Sequence, residues 1–139
     1  MSKNPNIDSQ FPLAIDIEKV GKYPARVGSG AGYFYDEVLE YRVWIHPERG
    51  GEDLYDGNDY FKAFSTFEEA LEFSENTKGA ENPLVLVLQK EWINEPEFGV
   101  FIHKKGDRLT EWQVEWLKDH KRGKNSISNF LKQKDKEIK

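Results

Sequence analysis

Hydrophobic and polar positions alternate most regularly between Tyr33 and His46, in YFYDEVLEYRVWIH. Leu39, Tyr41, Val43 and Ile45 fall on one side of an extended chain, and Val38, Glu40, Arg42, Trp44 and His46 on the other. The pattern predicts a strand with one packed face and one polar face that carries Arg and His side chains. FPLAIDIEKV, residues 11–20, repeats the alternation at Leu13, Ile15 and Ile17 and reads as a strand or a sheet edge, broken by Gly21 and Pro24. From Leu84 to Leu88 every position is apolar, which suits a central strand covered on both faces. Pro83 stands where such a strand begins. The aromatic stretch Tyr60 to Phe64 reads as a short further strand.

The period changes after Phe64. Phe67, Ala70, Leu71 and Ser74 fall on one stripe of a helix over residues 67–77. Ser65 with Glu68, or Thr66 with Glu69, fits a capping box at its start, and Lys78 and Gly79 end it. Further on, Pro96 among Glu91, Glu95 and Glu97 reads as a loop, and KKGDR, residues 104–108, as a turn. Phe98, Val100 and Ile102 alternate between them. Thr110 to Leu117 fits two patterns: Trp112 and Trp116 share a helical face, while Trp112, Val114 and Trp116 also alternate. Two tryptophans and a valine at period two favour a strand, hairpinned with residues 98–103. Beyond Lys118, the apolar anchors Ile127, Phe130 and Leu131 suffice for one or two turns of docking helix.

The fold predicted is α+β: a single small domain with a mixed or antiparallel sheet, including residues 35–46 and 84–90, backed by one or two helices. Residues 1–10 read as a flexible N-terminus, 11–117 as the domain and 118–139 as a basic C-terminal tail.

Composition narrows the function classes. A chain of 139 residues holds one domain with a core, and 37% hydrophobic with 14% aromatic residues is too aromatic for disorder and too polar for a membrane protein. The absence of cysteine removes disulfides, thiolate nucleophiles and cysteine metal sites. With no basic-then-apolar leader at the start, the expectation is a cytoplasmic protein with no membrane partner. The net charge of −5 hides an asymmetry: residues 118–139 carry about +5 and residues 1–117 about −10. An acidic body argues against nucleic acid as the partner of its main face, and leaves a small molecule or a protein.

Chemistry-bearing residues are few. Gly28, Gly30 and Gly32 in RVGSGAG form a turn into the main strand or a loop that a ligand approaches closely. No Gly-Lys-Ser/Thr follows to make it a phosphate loop. Asp53, Asp56, Asn58 and Asp59 crowd oxygen ligands together, but their spacing departs from the calcium-loop pattern and suits Asx turns instead, so no metal is assigned. His46, His103 and His120 are scattered, with no His-x-x-x-His pair. His46 is the best single catalytic candidate because it ends the main strand before a glycine-rich loop.

The runs GSGAGYFYDEVLEYRVW, DLYDGNDY, FEEALEFS and LTEWQVEWL resemble a small family of bacterial proteins with no established activity. Some members of that family carry a GCN5-related N-acetyltransferase label, which would imply acetyl-coenzyme A near Gly28 and Gly30. In Arg26-Val27-Gly28-Ser29-Gly30-Ala31 the acetyl-coenzyme A loop pattern is broken, since Ser29 stands where it has glycine. The chain also resembles ADP-ribosyltransferase-like folds in the order of Arg42 and His46, then Tyr60, then Gln113-Val114-Glu115. That likeness implies NAD held by Arg42, Tyr60 and Gln113, with Glu115 and His46 as catalytic residues. The residues taken alone point to a small binding or structural domain, with its cofactor undefined.

Overall fold

The computed structural model describes residues 11–25, 28–29 and 32–138, and the side chains of all of these but 28–29 and 136–138. Its strands are β1 (Gly28–Ser29), β2 (Glu37–Ile45), β3 (Tyr60–Phe64), β4 (Leu84–Glu97) and β5 (Val100–Gln113), and its helices are α1 (Phe67–Glu75) and α2 (Ser126–Ile138). The strands join in the order β1-β5-β4-β2-β3. Strands β2 to β5 pair antiparallel, and the two-residue β1 adds a parallel edge to β5. The domain is α+β with a mixed sheet. Among the described residues no helix is long and apolar enough to cross a membrane.

Strand β4 lies at the centre, and Val85, Leu86 and Val87 are all fully buried. Their unbroken apolarity has its cause there: the strand is covered on both faces. On one face α1 lies against β2 and β3, and its Ala70 joins the core cluster of Tyr41, Val43, Val85, Val87 and Trp112, with Phe67 and Phe73 packed beside it. Thr66 is the residue that caps α1: its hydroxyl accepts from the Glu69 amide at 3.1 Å and donates to the Glu69 carboxylate at 2.9 Å. The helix stops at Glu75, two residues before the predicted end.

A bulge changes the face assignments of β2. Val38 pairs with Val87 while Glu40 pairs with Leu86, so Leu39 is an extra residue between them. Val38 therefore joins Tyr41 and Val43 in the core, where strict alternation puts Leu39. Glu40, Arg42, Trp44 and His46 keep to the other face.

Three predicted elements are corrected. Residues 11–20 form no strand: Leu13, Ile15 and Ile17 are each more than half exposed, and a 3-10 turn follows at Ile17–Lys19. The segment crosses the sheet edge where β3 stops, held by Ala14 N to Ser65 O at 2.9 Å and Ile15 N to Val38 O at 2.8 Å. Crossing uses two backbone bonds, not a ladder. Second, neither Pro96 nor KKGDR breaks the sheet. Strands β4 and β5 run on as one long hairpin that turns at Phe98 and Gly99, and a register shift opposite Gln89 to Glu91 absorbs the residue that Gly106 adds. Arg108 lies over the Trp92 ring at 4.5 Å beside that shift. Third, Thr110 to Leu117 is strand only to Gln113, after which Val114–Leu117 is a 3-10 turn. Trp112 and Val114 are buried and Trp116 is exposed.

The chain beyond β5 ties back to the body. Tyr35 N donates to His120 O at 3.0 Å, Arg122 N donates to Tyr35 O at 2.8 Å, and Arg122 Nε donates to Asp36 Oδ1 at 2.6 Å. Helix α2 is longer than the predicted one or two turns, and it docks through buried Ile127 and through Phe130, whose ring lies 4.8 Å from that of Tyr33.

Candidate functional site

The polar face of β2 organises the chemistry of the molecule. Arg42 is fully buried, with Nε 2.7 Å from Glu40 Oε2 and Nη1 2.8 Å from Glu111 Oε2. Trp44 Nε1 donates to the same Glu111 oxygen at 3.0 Å. Residues 17–25 close over this group: Gly21 N donates to Glu40 Oε1 at 2.7 Å, and Arg42 donates to the carbonyls of Pro24 and Ala25. Two carboxylates, a guanidinium and two carbonyls satisfy one another, with Arg42 and Glu40 fully buried and Glu111 partly exposed at the rim, as a buried charge requires.

His46 continues that face at the end of β2. Ile45 bridges two neighbours at once, Tyr60 of β3 and Ala80 before β4, so Asp59 stands opposite His46 on one side, and on the other Glu81, opposite Trp44, reaches the ring diagonally. Glu81 Oε2 lies 2.6 Å from His46 Nε2. Asp59 Oδ1 lies 2.9 Å from Nδ1, off the ring N–H direction, so that buried nitrogen makes no hydrogen bond. The hydrogen bond to Glu81 is the main cause that raises the imidazole pKa above its ordinary value; burial opposes the rise and Asp59 adds to it. The backbone is held as firmly: His46 N donates to Gly79 O at 2.9 Å, and Gly51 N to His46 O at 3.1 Å.

Beside Glu81 opens a cavity of about 570 Å³, lined by Ala80 to Leu84 on one side and by Gln113 and Glu115 on the other. A shallower one of about 240 Å³ lies across the strand end, with Trp44, Tyr55, Asp59 and Tyr60 in its wall. His46 sits between the two, reaching one through Glu81 and the other through Asp59.

The residues singled out from the sequence are thus unequally placed. Gln113 and Glu115 line one cavity, although Gln113 ends β5 and Glu115 belongs to the turn beyond it. His46 stands behind Glu81. Tyr60 is in the wall of the other cavity, its hydroxyl donating to Glu52 O at 2.8 Å. Arg42 points into the protein and is enclosed there, which takes it out of reach of a ligand in either cavity. Gly28 pairs with Thr110 in β1, so this part of the glycine stretch is a sheet edge and not a turn. Gly30 lies outside the described residues.

Glu81 and Glu111 carry no sequence signal of a site, and Asp59 stands only among the oxygen-rich turn residues. Asp59 was visible as a turn residue, and in that turn Gly57 N does donate to Asp53 Oδ1 at 2.7 Å, an Asx contact. No local pattern marks Glu81 or Glu111, because their partners are 35 and 69 positions away. Comparison with models of known families, with curated proteins and with solved structures gives no match.

Proposed function

We propose that the protein is a small binding domain whose ligand is a small organic cation, an amine or a guanidinium, taken into the cavity beside Glu81. The observation that carries this reading is the convergence of Gln113 and Glu115 with Glu81 on one cavity of about 570 Å³. That volume is within the range of small-molecule sites. Two carboxylates, with the amide oxygens of Asn82 and Gln113 beside them, give a ligand rich in N–H donors an excess of acceptors. The body of the chain, acidic by about ten charges, draws cations toward it. Glu81 is held in place by His46, so part of the site is preorganised.

The enzyme readings have less support. Transfer from NAD would keep Gln113 and Glu115 on one cavity, but loses Arg42 as a cofactor-binding residue, since its guanidinium is engaged by Glu40 and Glu111. Acetyl transfer needs a helix N-terminus opening beside residues 26–32, and the chain leaves that stretch through Gly32 toward β2.

The test is calorimetric titration of the full chain with putrescine, agmatine and choline, alongside NAD and acetyl-coenzyme A, repeated on Glu115→Gln. One amine is expected to bind one-to-one, and Glu115→Gln to weaken it by about 10- to 100-fold, the worth of one charge-assisted hydrogen bond. Failure of all three amines to bind at millimolar concentration overturns the reading. Binding of NAD in their place turns it toward the transferase.

A further inference from the structure

The second flank of His46 has a separate chemistry. Its side chain is nine-tenths buried, and Nδ1 is shut off from solvent without a hydrogen bond. A buried imidazole nitrogen in that state is an open donor position, since protein interiors rarely leave one unsatisfied. The Asp59 carboxylate is in ion-pair range of it, with Oδ1 at 2.9 Å. Ligand atoms of His46, Glu48 and Asp59 all lie within 4.8 Å of one another. The fold brings them together by short connections: Glu48 is in the 3-10 turn Pro47–Arg49 directly after His46, and Asp59 precedes the β3 residue that pairs with Ile45.

We propose that His46 Nδ1, Asp59 and Glu48 bind a divalent transition-metal ion of the Zn²⁺ class. One imidazole and two carboxylates suit such an ion, whereas calcium and magnesium take oxygen ligands alone. Two ligand atoms on one tetrahedral Zn²⁺ stand about 3.4 Å apart, by the usual bond lengths of about 2.1 Å. Asp59 Oδ1 and His46 Nδ1 are already near that spacing at 2.9 Å. Glu48 and Asp59 are exposed, so their carboxylates are free to adjust by the remaining ångström or so while the imidazole stays fixed.

The other ring nitrogen completes the arrangement. Nε2 is 2.6 Å from Glu81 Oε2. A metal-binding histidine characteristically donates its second N–H to a carboxylate, which fixes the tautomer that leaves the first nitrogen free. Glu81 is then a positioning residue for the metal and does not touch it. The shallow cavity with Asp59 in its wall supplies an entry path and room for water on the remaining coordination positions. Two carboxylates also balance the charge of the ion. This site is on the Nδ1 side of the ring, away from Gln113 and Glu115, and shares only Glu81 with the amine cavity, so Asp59→Asn and Glu48→Gln test the metal without touching the amine site.

The test is titration of the full chain, stripped with chelator, with ZnCl₂ and with MnCl₂, followed by calorimetry and by the His46 imidazole NMR signals. The expected result is one Zn²⁺ per chain, a shift confined to His46 among the histidines, and at least a tenfold loss of affinity in both Asp59→Asn and Glu48→Gln. Both positions are exposed, so the variants are expected to fold, which circular dichroism checks. Glu81→Gln is expected to weaken binding by about 10- to 100-fold without removing it. No binding of either metal at millimolar concentration overturns the proposal, as does one-to-one binding that Asp59→Asn and Glu48→Gln leave unchanged.

Discussion

Arg42 Nη1 and Glu111 Oε2 meet at 2.8 Å across 69 positions of sequence, and the contact joins β2 to β5 over the central strand β4. Glu40 completes the pair on the other guanidinium edge at 2.7 Å, with neither its side chain nor that of Arg42 exposed at all. Removing the cation alone leaves the fully buried Glu40 carboxylate without its counter-charge, beside that of Glu111. Arg42→Met is therefore expected to destabilise the fold by about 3–5 kcal/mol in urea denaturation. Replacing Arg42, Glu40 and Glu111 together by apolar residues of similar volume should recover most of that loss. A single Arg42→Met variant as stable as the parent would show that the group is not the electrostatic centre of this face.

Gly79 has φ of +81°, and a Cβ built there would lie 2.4 Å from Gly51 N and 2.8 Å from His46 O. Both neighbours are backbone and neither swings aside. Gly57 has a similar φ of +79° but nothing within 4 Å of a Cβ. Gly57→Ala is expected to cost about 1–2 kcal/mol, from left-handed geometry alone. Gly79→Ala should cost at least about 2 kcal/mol more, from the added overlap. Equal losses in thermal or urea unfolding would contradict the close packing of the two glycine turns beneath His46.

Tyr33 donates its hydroxyl to Glu95 Oε1 at 2.7 Å, near the tip of the long hairpin. The bond holds Tyr33 up to about 12, and, with the Gly99 amide, holds Glu95 below its ordinary value. The signs follow from linkage. The Glu95 contribution is present above its unfolded value of 4.5 and fades as pH falls through the lowered folded value. The Tyr33 contribution is full below its unfolded value of 10.0 and is lost as pH rises through about 12. Glu95→Gln is expected to bring the Tyr33 ionisation back toward 10, read by NMR of the ring carbon bearing the hydroxyl. Its stability difference from the parent should shrink as the solution is acidified below the ordinary carboxylate range. An unchanged Tyr33 titration in Glu95→Gln would sink the assignment.

Helix α2 is anchored at its start. Ile127 is buried, and Phe130 packs on Tyr33 at 4.8 Å and Phe101 at 5.4 Å, while Lys132, Gln133 and Asp135 are exposed. Deleting residues 132–139 is expected to lower Tm by less than about 5 °C. Ile127→Ala should lower it more, because it leaves a void in packed structure, with about 2 kcal/mol or more at stake. A truncation costing more than Ile127→Ala would place the anchoring in the second half of the helix.

Local physics alone determined several things about this chain. Period two assigned Glu40, Arg42, Trp44 and His46 to a common face, because successive side chains of a strand must alternate. The unbroken apolar run at Leu84 to Leu88 marked a strand covered twice, and the capping-box spacing at Ser65–Glu68 or Thr66–Glu69 marked the start of α1 to within one residue. These signals lie within a few residues of one another, where the covalent chain dictates geometry. The tertiary structure decided what depends on distant partners. The bulge that returned Val38 to the core arises from register against β4, and the long hairpin carries KKGDR as strand because β4 supplies the hydrogen bonds that turn residues would forgo. The surroundings of Arg42 and His46 were settled in the same way. Which carboxylate stands against a buried cation or imidazole depends on strand order, and Glu111, Asp59 and Glu81 reach their partners only after β2 has neighbours on both sides.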